Sequence, residues 1–276
     1  MNELFQYTFF QYALIGLAII SIASAMIGTY IVTRRMVSIS GGVTHACFGG
    51  LGLGYYLGWN PVLTAALFAV ASSLGVELMS VRGRVREDSA IAVIWAIGMA
   101  VGILFVFLTP GYVPELNSFL FGNVLTISRA DLWAFALFTA VLALFFALFY
   151  RRIVAVAFDR DFAFVIGLPV GTISTVMTVM TAVCIVLTIR LVGIMLLMSM
   201  LALPQLTAEL FCRRFSRMML ASAAVSLLCS VGGLLLAAVV DVPCSALIVL
   251  VMAAVYVLTA LGVYVAKRVR MRSCDQ

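Results

Sequence analysis

The sequence predicts an all-α, polytopic integral membrane protein with about nine transmembrane helices (eight to nine) forming one membrane domain over residues 1–276. Three observations carry this expectation. Of the 276 residues, 65% are apolar, about 179 side chains, and only 10% are Asp, Glu, Lys or Arg. Soluble chains run near 45–50% apolar and about 25% charged, so no soluble core could hide so many. A span takes roughly 20 apolar residues, and about 179 divided by 20 is about nine. Finally, the basic residues are distributed very unevenly between alternate connections, as the positive-inside rule describes.

Taken in order, apolar runs cover Phe9 to Thr33, Gly42 to Leu57, Pro61 to Ser80, Ala90 to Leu108, Leu132 to Phe149, Gly171 to Ile189, Leu191 to Leu206, Met218 to Val240 and Cys244 to Ala266. The first run has no basic residue before Arg34 and is too long for a secretory signal, so it is read as a retained helix. The sixth and seventh runs meet at Arg190 almost without a turn and are compatible with one broken unit, which leaves eight spans possible. Alternate placement of the connections puts 15 basic residues, from Arg34 and Arg35 to Arg272, on one side and only Arg129 and Arg190 on the other. The N-terminus is therefore expected outside and the C-terminus in the cytoplasm, which requires an odd number of crossings. The net charge of +6 is thus a topology signal and not a nucleic-acid footprint.

The outer connections are short except for Thr109 to Ala130, where Pro110, Gly111, Pro114 and Asn117 interrupt any helix. A short amphipathic helix is expected around Ser118 to Val124. The longest inner connection, Arg151 to Pro169, holds Phe158, Asp159, Arg160, Asp161 and Phe162, then Gly167, Leu168 and Pro169. It predicts a short cytoplasmic helix capped by Asp159 or Asp161 and stopped near Gly167. The six cysteines form no CxxC pair and read as small hydrophobes or reduced cytoplasmic thiols.

Ionisable groups within the runs are few, and His45 is the only histidine in the chain. Helical spacing places Gly41, His45, Gly49 and Gly52 on one face, able to approach another backbone while presenting one imidazole. Two readings stand side by side: a packed histidine bonded to a carbonyl in a glycine seam, or a ligand on a transport path. Pro204 lies inside its run and leaves the Met200 carbonyl without a helical donor. That bend is either purely structural or a gate hinge, with Gln205 and Thr207 restoring the lost hydrogen bonds. Met195, Met198 and Met200 read as packing among 14 methionines. Glu77 reads as a boundary residue near Arg82.

No phosphate-gripping loop is present, because the only lysine, Lys267, follows Ala266 and not glycine. No acid shares the span of His45, so an enzyme is not expected and no cofactor is expected in this chain. Proton or sodium coupling usually leaves acids in the spans. A transporter driven by another subunit therefore fits better than the alternative, a stand-alone secondary metal-ion transporter. A membrane enzyme and a structural subunit are the remaining classes.

The motifs, in order, carry a resemblance. Arg34, Arg35 and Met36 precede Gly42, Val43, Thr44, His45 and Ala46; Glu87, Asp88, Ser89, Ala90 and Ile91 follow; then come Ser118, Phe119, Leu120, Phe121 and Gly122. The inner stretch Ala157 to Ala163 with Gly167, and Val192 and Gly193 through Pro204, Thr207 and Ala208, complete the set. Over nearly its whole length the chain resembles the permease subunits of bacterial ABC importers for zinc, manganese and iron, the ABC-3 metal permeases. The resemblance implies an ABC importer permease in the bacterial cytoplasmic (inner) membrane, embedded in lipid and binding no nucleic acid.

What such a permease moves is a divalent transition-metal cation, and its partners are cytoplasmic ATPase subunits that bind ATP, a second permease subunit, identical by expectation, and an extracytoplasmic metal-binding protein. By the same resemblance His45 would be a transient metal ligand and Pro204 and Thr207 would gate. Asp159, Asp161, Phe162 and Gly167 would couple to the ATPase, although capping alone is an equally good reading of the two aspartates. The family's pattern carries an aspartate one helical turn before the histidine, and Gly41 stands there in this chain. Imidazole without that carboxylate tilts the expected cargo toward zinc.

Overall fold

A computed structural model describes residues 6–274 apart from 82, 84, 111–121 and 123. Ten α-helices are found among these residues: α1 (Thr8–Thr33), α2 (Ser38–Leu57), α3 (Pro61–Val81), α4 (Glu87–Leu108), α5 (Arg129–Phe158), α6 (Arg160–Val165), α7 (Val170–Val192), α8 (Ile194–Glu209), α9 (Phe215–Val240) and α10 (Cys244–Cys274). Each apolar run coincides with one helix, and α6 is the short helix expected between Arg151 and Pro169. The amphipathic helix expected around Ser118 to Val124 falls mostly outside the described residues; a 3-10 turn at Val124–Thr126 closes that stretch.

Seven of the helices are long and apolar enough to cross a membrane. The two runs outside that set are α2, 20 residues rich in glycine, and α8, which has only 16. At 1.5 Å per residue α8 is about 24 Å long, short of a hydrocarbon core of about 30 Å. The break between α7 and α8 is a single residue, Gly193, at φ +82°. A left-handed φ is open to glycine at no steric cost, which is why the sixth and seventh runs separate there and not at Arg190.

The helix α5 departs from expectation at its C-terminal end. It continues past Arg151 and Arg152 to Phe158, so the inner connection between α5 and α7 is shorter than Arg151 to Pro169. Basic residues end a lipid-facing stretch but not a helix, since both have good helix propensity. The N-terminal end of α5 begins with a capping box, in which Ser128 accepts from the Asp131 backbone and Asp131 accepts from that of Ser128. Asp131 also pairs with Arg190 of α7 at 3.1 Å.

At the centre lies α1, where 78% of the most apolar window is buried inside the protein. It packs on α5, α7, α8 and α9. On one flank α2 packs between α3 and α4, and α3 joins this unit to α7. On the other flank α8, α9 and α10 pack together. The periphery is formed by α4 and α10, whose windows are only 17% and 11% buried, leaving apolar faces for lipid or a neighbouring subunit.

Candidate functional site

Glycine brings α2 and α4 into backbone contact. A Cβ on Gly98 would lie 2.5 Å from the Ala46 Cα, and one on Gly102 2.5 Å from the Phe48 carbonyl oxygen. A Cβ on Gly52 would run into the Gly102 backbone in return. The face of α2 that carries His45 is therefore pressed on α4, as the glycine spacing predicts. The Gly98-x-x-x-Gly102 spacing on α4 is the sequence signal for this contact.

Within this seam His45 is half-buried, and its Nδ1 lies 2.7 Å from the Gly41 carbonyl oxygen. A carbonyl can only accept, so the neutral ring carries its proton on Nδ1 and keeps its lone pair on Nε2. The imidazole stacks on Trp95 of α4, with centroids 4.5 Å apart and planes 22° from parallel. Ring and tautomer are thus both held, and Trp95 has no counterpart in the sequence reading. At Gly41 a Cβ would meet the Met198 methyl of α8 at 2.9 Å. Among the described residues no group of three or more His, Cys, Asp or Glu could hold a metal ion. His45 can offer one nitrogen, a weak attachment suited to a cation in passage.

Pro204 lies within α8 as expected, and the carbonyl it orphans is satisfied. Gln205 Nε2 donates to Met200 O at 3.1 Å and to Ser24 O of α1 at 2.9 Å. The same amide thus repairs α8 and ties it to the central helix. The approach requires Gly28, since a Cβ there would lie 2.5 Å from Gln205 Nε2. Thr207 does not share in the repair: its hydroxyl donates to Leu203 O at 2.7 Å, one turn back in its own helix.

The short helix α6 is built as the sequence predicts. Asp159 is its N-cap and accepts from Phe162 N at 2.9 Å, which places the cap at Asp159 and leaves Asp161 in the first turn. Gly167, at φ +79°, turns the chain, and Leu168 N donates to Ala163 O at 3.0 Å. Ala163 is buried and anchors the helix, whereas Phe158, Phe162, Phe164 and Val165 are exposed, the last two at 73% and 82%. The sequence reading singled out Phe162 alone among those of α6.

Ion pairs gather beside α6. Glu77 of α3 faces Arg160 at 3.9 Å, so its partner is brought by the fold from α6 and was not foreseen from its neighbourhood to Arg82. Arg34 spans three elements: Nη2 reaches Glu87 Oε1 at 3.2 Å, and Nη1 reaches the Tyr30 hydroxyl at 3.1 Å and Ser174 Oγ at 3.3 Å. Burial alone would weaken Arg34's hold on its proton, but Tyr30, Glu87 and Glu77 outweigh it and move the guanidinium pKa above its ordinary value. A hollow of about 1040 Å³ opens here, lined by Arg34, Glu87, Arg160 and Asp161 among others.

The ABC 3 transport family matches residues 6–262. A manganese transport system membrane protein, MntC, of Halalkalibacterium halodurans is 30% identical over 241 residues, 87% of this chain and 82% of that protein. The MntC of Listeria monocytogenes is 29% identical over 85% of this chain and 83% of its own length. Among solved structures, PsaBC from Streptococcus pneumoniae in complex with Fab matches with a TM-score of 0.81 over 94% of this chain and 93% of that one. At 24% identity, that last likeness speaks for the fold.

Proposed function

Since this chain belongs to the ABC 3 transport family, matched over residues 6–262, we propose that it is the permease subunit of a bacterial ABC importer for a divalent transition metal, zinc or manganese. It resides in the cytoplasmic membrane, with the N-terminus outside and the C-terminus inside. Two copies form the pathway, cytoplasmic ATPase subunits supply the driving force, and an extracytoplasmic binding protein delivers the cation.

The observation that carries this reading is α6. This short capped helix outside the apolar runs exposes Phe162, Phe164 and Val165, beside the exposed Phe158 at the end of α5. Such a patch calls for a protein partner, and a permease without a phosphate loop of its own needs one that hydrolyses ATP. In this assignment Asp159 and Gly167 shape the docking helix, Asp161 and Phe162 meet the ATPase, His45 Nε2 is a passing ligand, and the bend at Pro204 with Thr207 works as a gate.

The names of the relatives support manganese. The donor chemistry supports zinc, because imidazole without a carboxylate on its own helix is a poor manganese site. In cells lacking other importers, excess zinc is expected to suppress uptake of radioactive manganese more strongly than excess manganese suppresses that of zinc. The reverse order would assign manganese as the preferred cargo.

A further inference from the structure

We propose that Arg160 and Glu77 form the joint through which displacement of α6 reaches the helices around His45, with Arg34 and Glu87 as a second joint behind it. This rests on the reading of α6 as the ATPase-docking helix. By backbone packing α6 lies against α5 and α7. Its ionic reach toward the α2, α3 and α4 unit is the Arg160 guanidinium, aimed at Glu77 of α3.

The first joint is only half made. Glu77 Oε1 is 3.9 Å from Arg160 Nη2, beyond hydrogen-bond distance, and Glu77 Oε2 is buried with no hydrogen-bond partner among the described residues. A buried carboxylate oxygen left in this condition is costly. Moving Arg160 inward by about 1 Å would bring the pair to the distance of a charge-assisted hydrogen bond. A conformer with α6 pressed toward α3 is therefore favoured by a contact that the present conformer lacks, which gives a push on α6 an energetic consequence inside the bundle.

The second joint carries that consequence on. Ser80, three residues beyond Glu77 on α3, donates to Glu87 Oε1 at 3.4 Å, the oxygen that Arg34 also engages at 3.2 Å. Residues three apart share a helix face, so the inner end of α3 holds both joints. Glu87 begins α4, and its neighbour Asp88 accepts from Ser38 Oγ, the first residue of α2, at 2.9 Å. A shift of α3 thus acts on the starts of α2 and α4 together, the two helices whose seam holds His45 and Trp95. Arg160 and Glu77 are positioning residues in this scheme, remote from the cation.

The test uses the complete importer in proteoliposomes with its ATPase, comparing wild type, Arg160→Glu, Glu77→Arg, the double charge swap and Glu77→Gln. The readout is metal taken up per ATP hydrolysed, beside retention of the ATPase on purification. Each single change is expected to keep the ATPase bound and hydrolysing while lowering the ratio about tenfold, and the swap to restore most of it, as coupled pairs of this kind do. A swap no better than the worse single variant, or a wild-type ratio in Glu77→Gln, overturns the joint. Should a charge reversal prevent assembly, Glu77→Gln and Arg160→Gln decide by the same ratio. Absence of ATP-driven uptake by wild type would instead overturn the importer reading, and the joint with it.

Discussion

His45→Ala is expected to lower metal uptake by roughly 10- to 100-fold, the range for disturbing a metal's surroundings, while leaving the protein folded. The imidazole is half-buried, its Nδ1 is committed to the Gly41 carbonyl and its ring to Trp95, so the one function left free is the Nε2 lone pair. Initial uptake rates, set beside the thermal midpoint of the purified protein, separate the two roles. Loss of uptake at an unchanged midpoint identifies a group on the cation's path. Normal uptake with a lowered midpoint would make His45 a packing residue of the glycine seam. His45→Gln tests the point further, because an amide can keep a hydrogen bond to a carbonyl but replaces the nitrogen donor.

A larger effect on stability is expected at the crossing of α2 and α4. Gly102→Leu would place its Cβ 2.5 Å from both the Phe48 carbonyl carbon and oxygen, backbone atoms that cannot rotate away. Overpacking costs about 1–3 kcal/mol and occasionally more. With about 3 kcal/mol lost, the midpoint should fall by roughly 10 °C for a chain of this size. Gly171→Leu is the matched control, since among the described residues nothing lies within 4 Å of its Cβ position. Equal behaviour of the two variants would show that the helices do not meet through Gly102.

The helices were legible because lipid imposes a local rule. A run of apolar residues long enough to span must satisfy its own backbone, so composition alone locates it. The repair at Pro204 was legible for the same reason: the orphaned Met200 carbonyl and the amide of Gln205 are five residues apart in one helix. The cap of α6 was readable from Asp159 itself. The inner end of α5 was not, because Arg151 and Arg152 mark where lipid contact stops and say nothing about where the helix does.

Contacts made across the bundle were least accessible. Glu77 and Arg160 are 83 positions apart, and no local pattern ties a carboxylate on α3 to a guanidinium on α6. Trp95 is one of the chain's three tryptophans in a run that reads as lipid-facing, and at 41% exposure it remains largely so. Its place on the imidazole follows from the crossing of α2 and α4. The glycines named on α2 were half of that crossing; the matching pair on α4 was the half that would have brought Trp95 to His45.

In the proposed function the permease borrows its driving force from a separate ATPase. The direct measurement is uptake of radioactive manganese and zinc by sealed liposomes holding the permease alone, the permease with its ATPase, and both with the binding protein, each with and without ATP. Accumulation against a gradient only where ATPase and ATP are both present is the predicted result. Uphill accumulation by the permease alone, driven by a proton or sodium gradient, would contradict it.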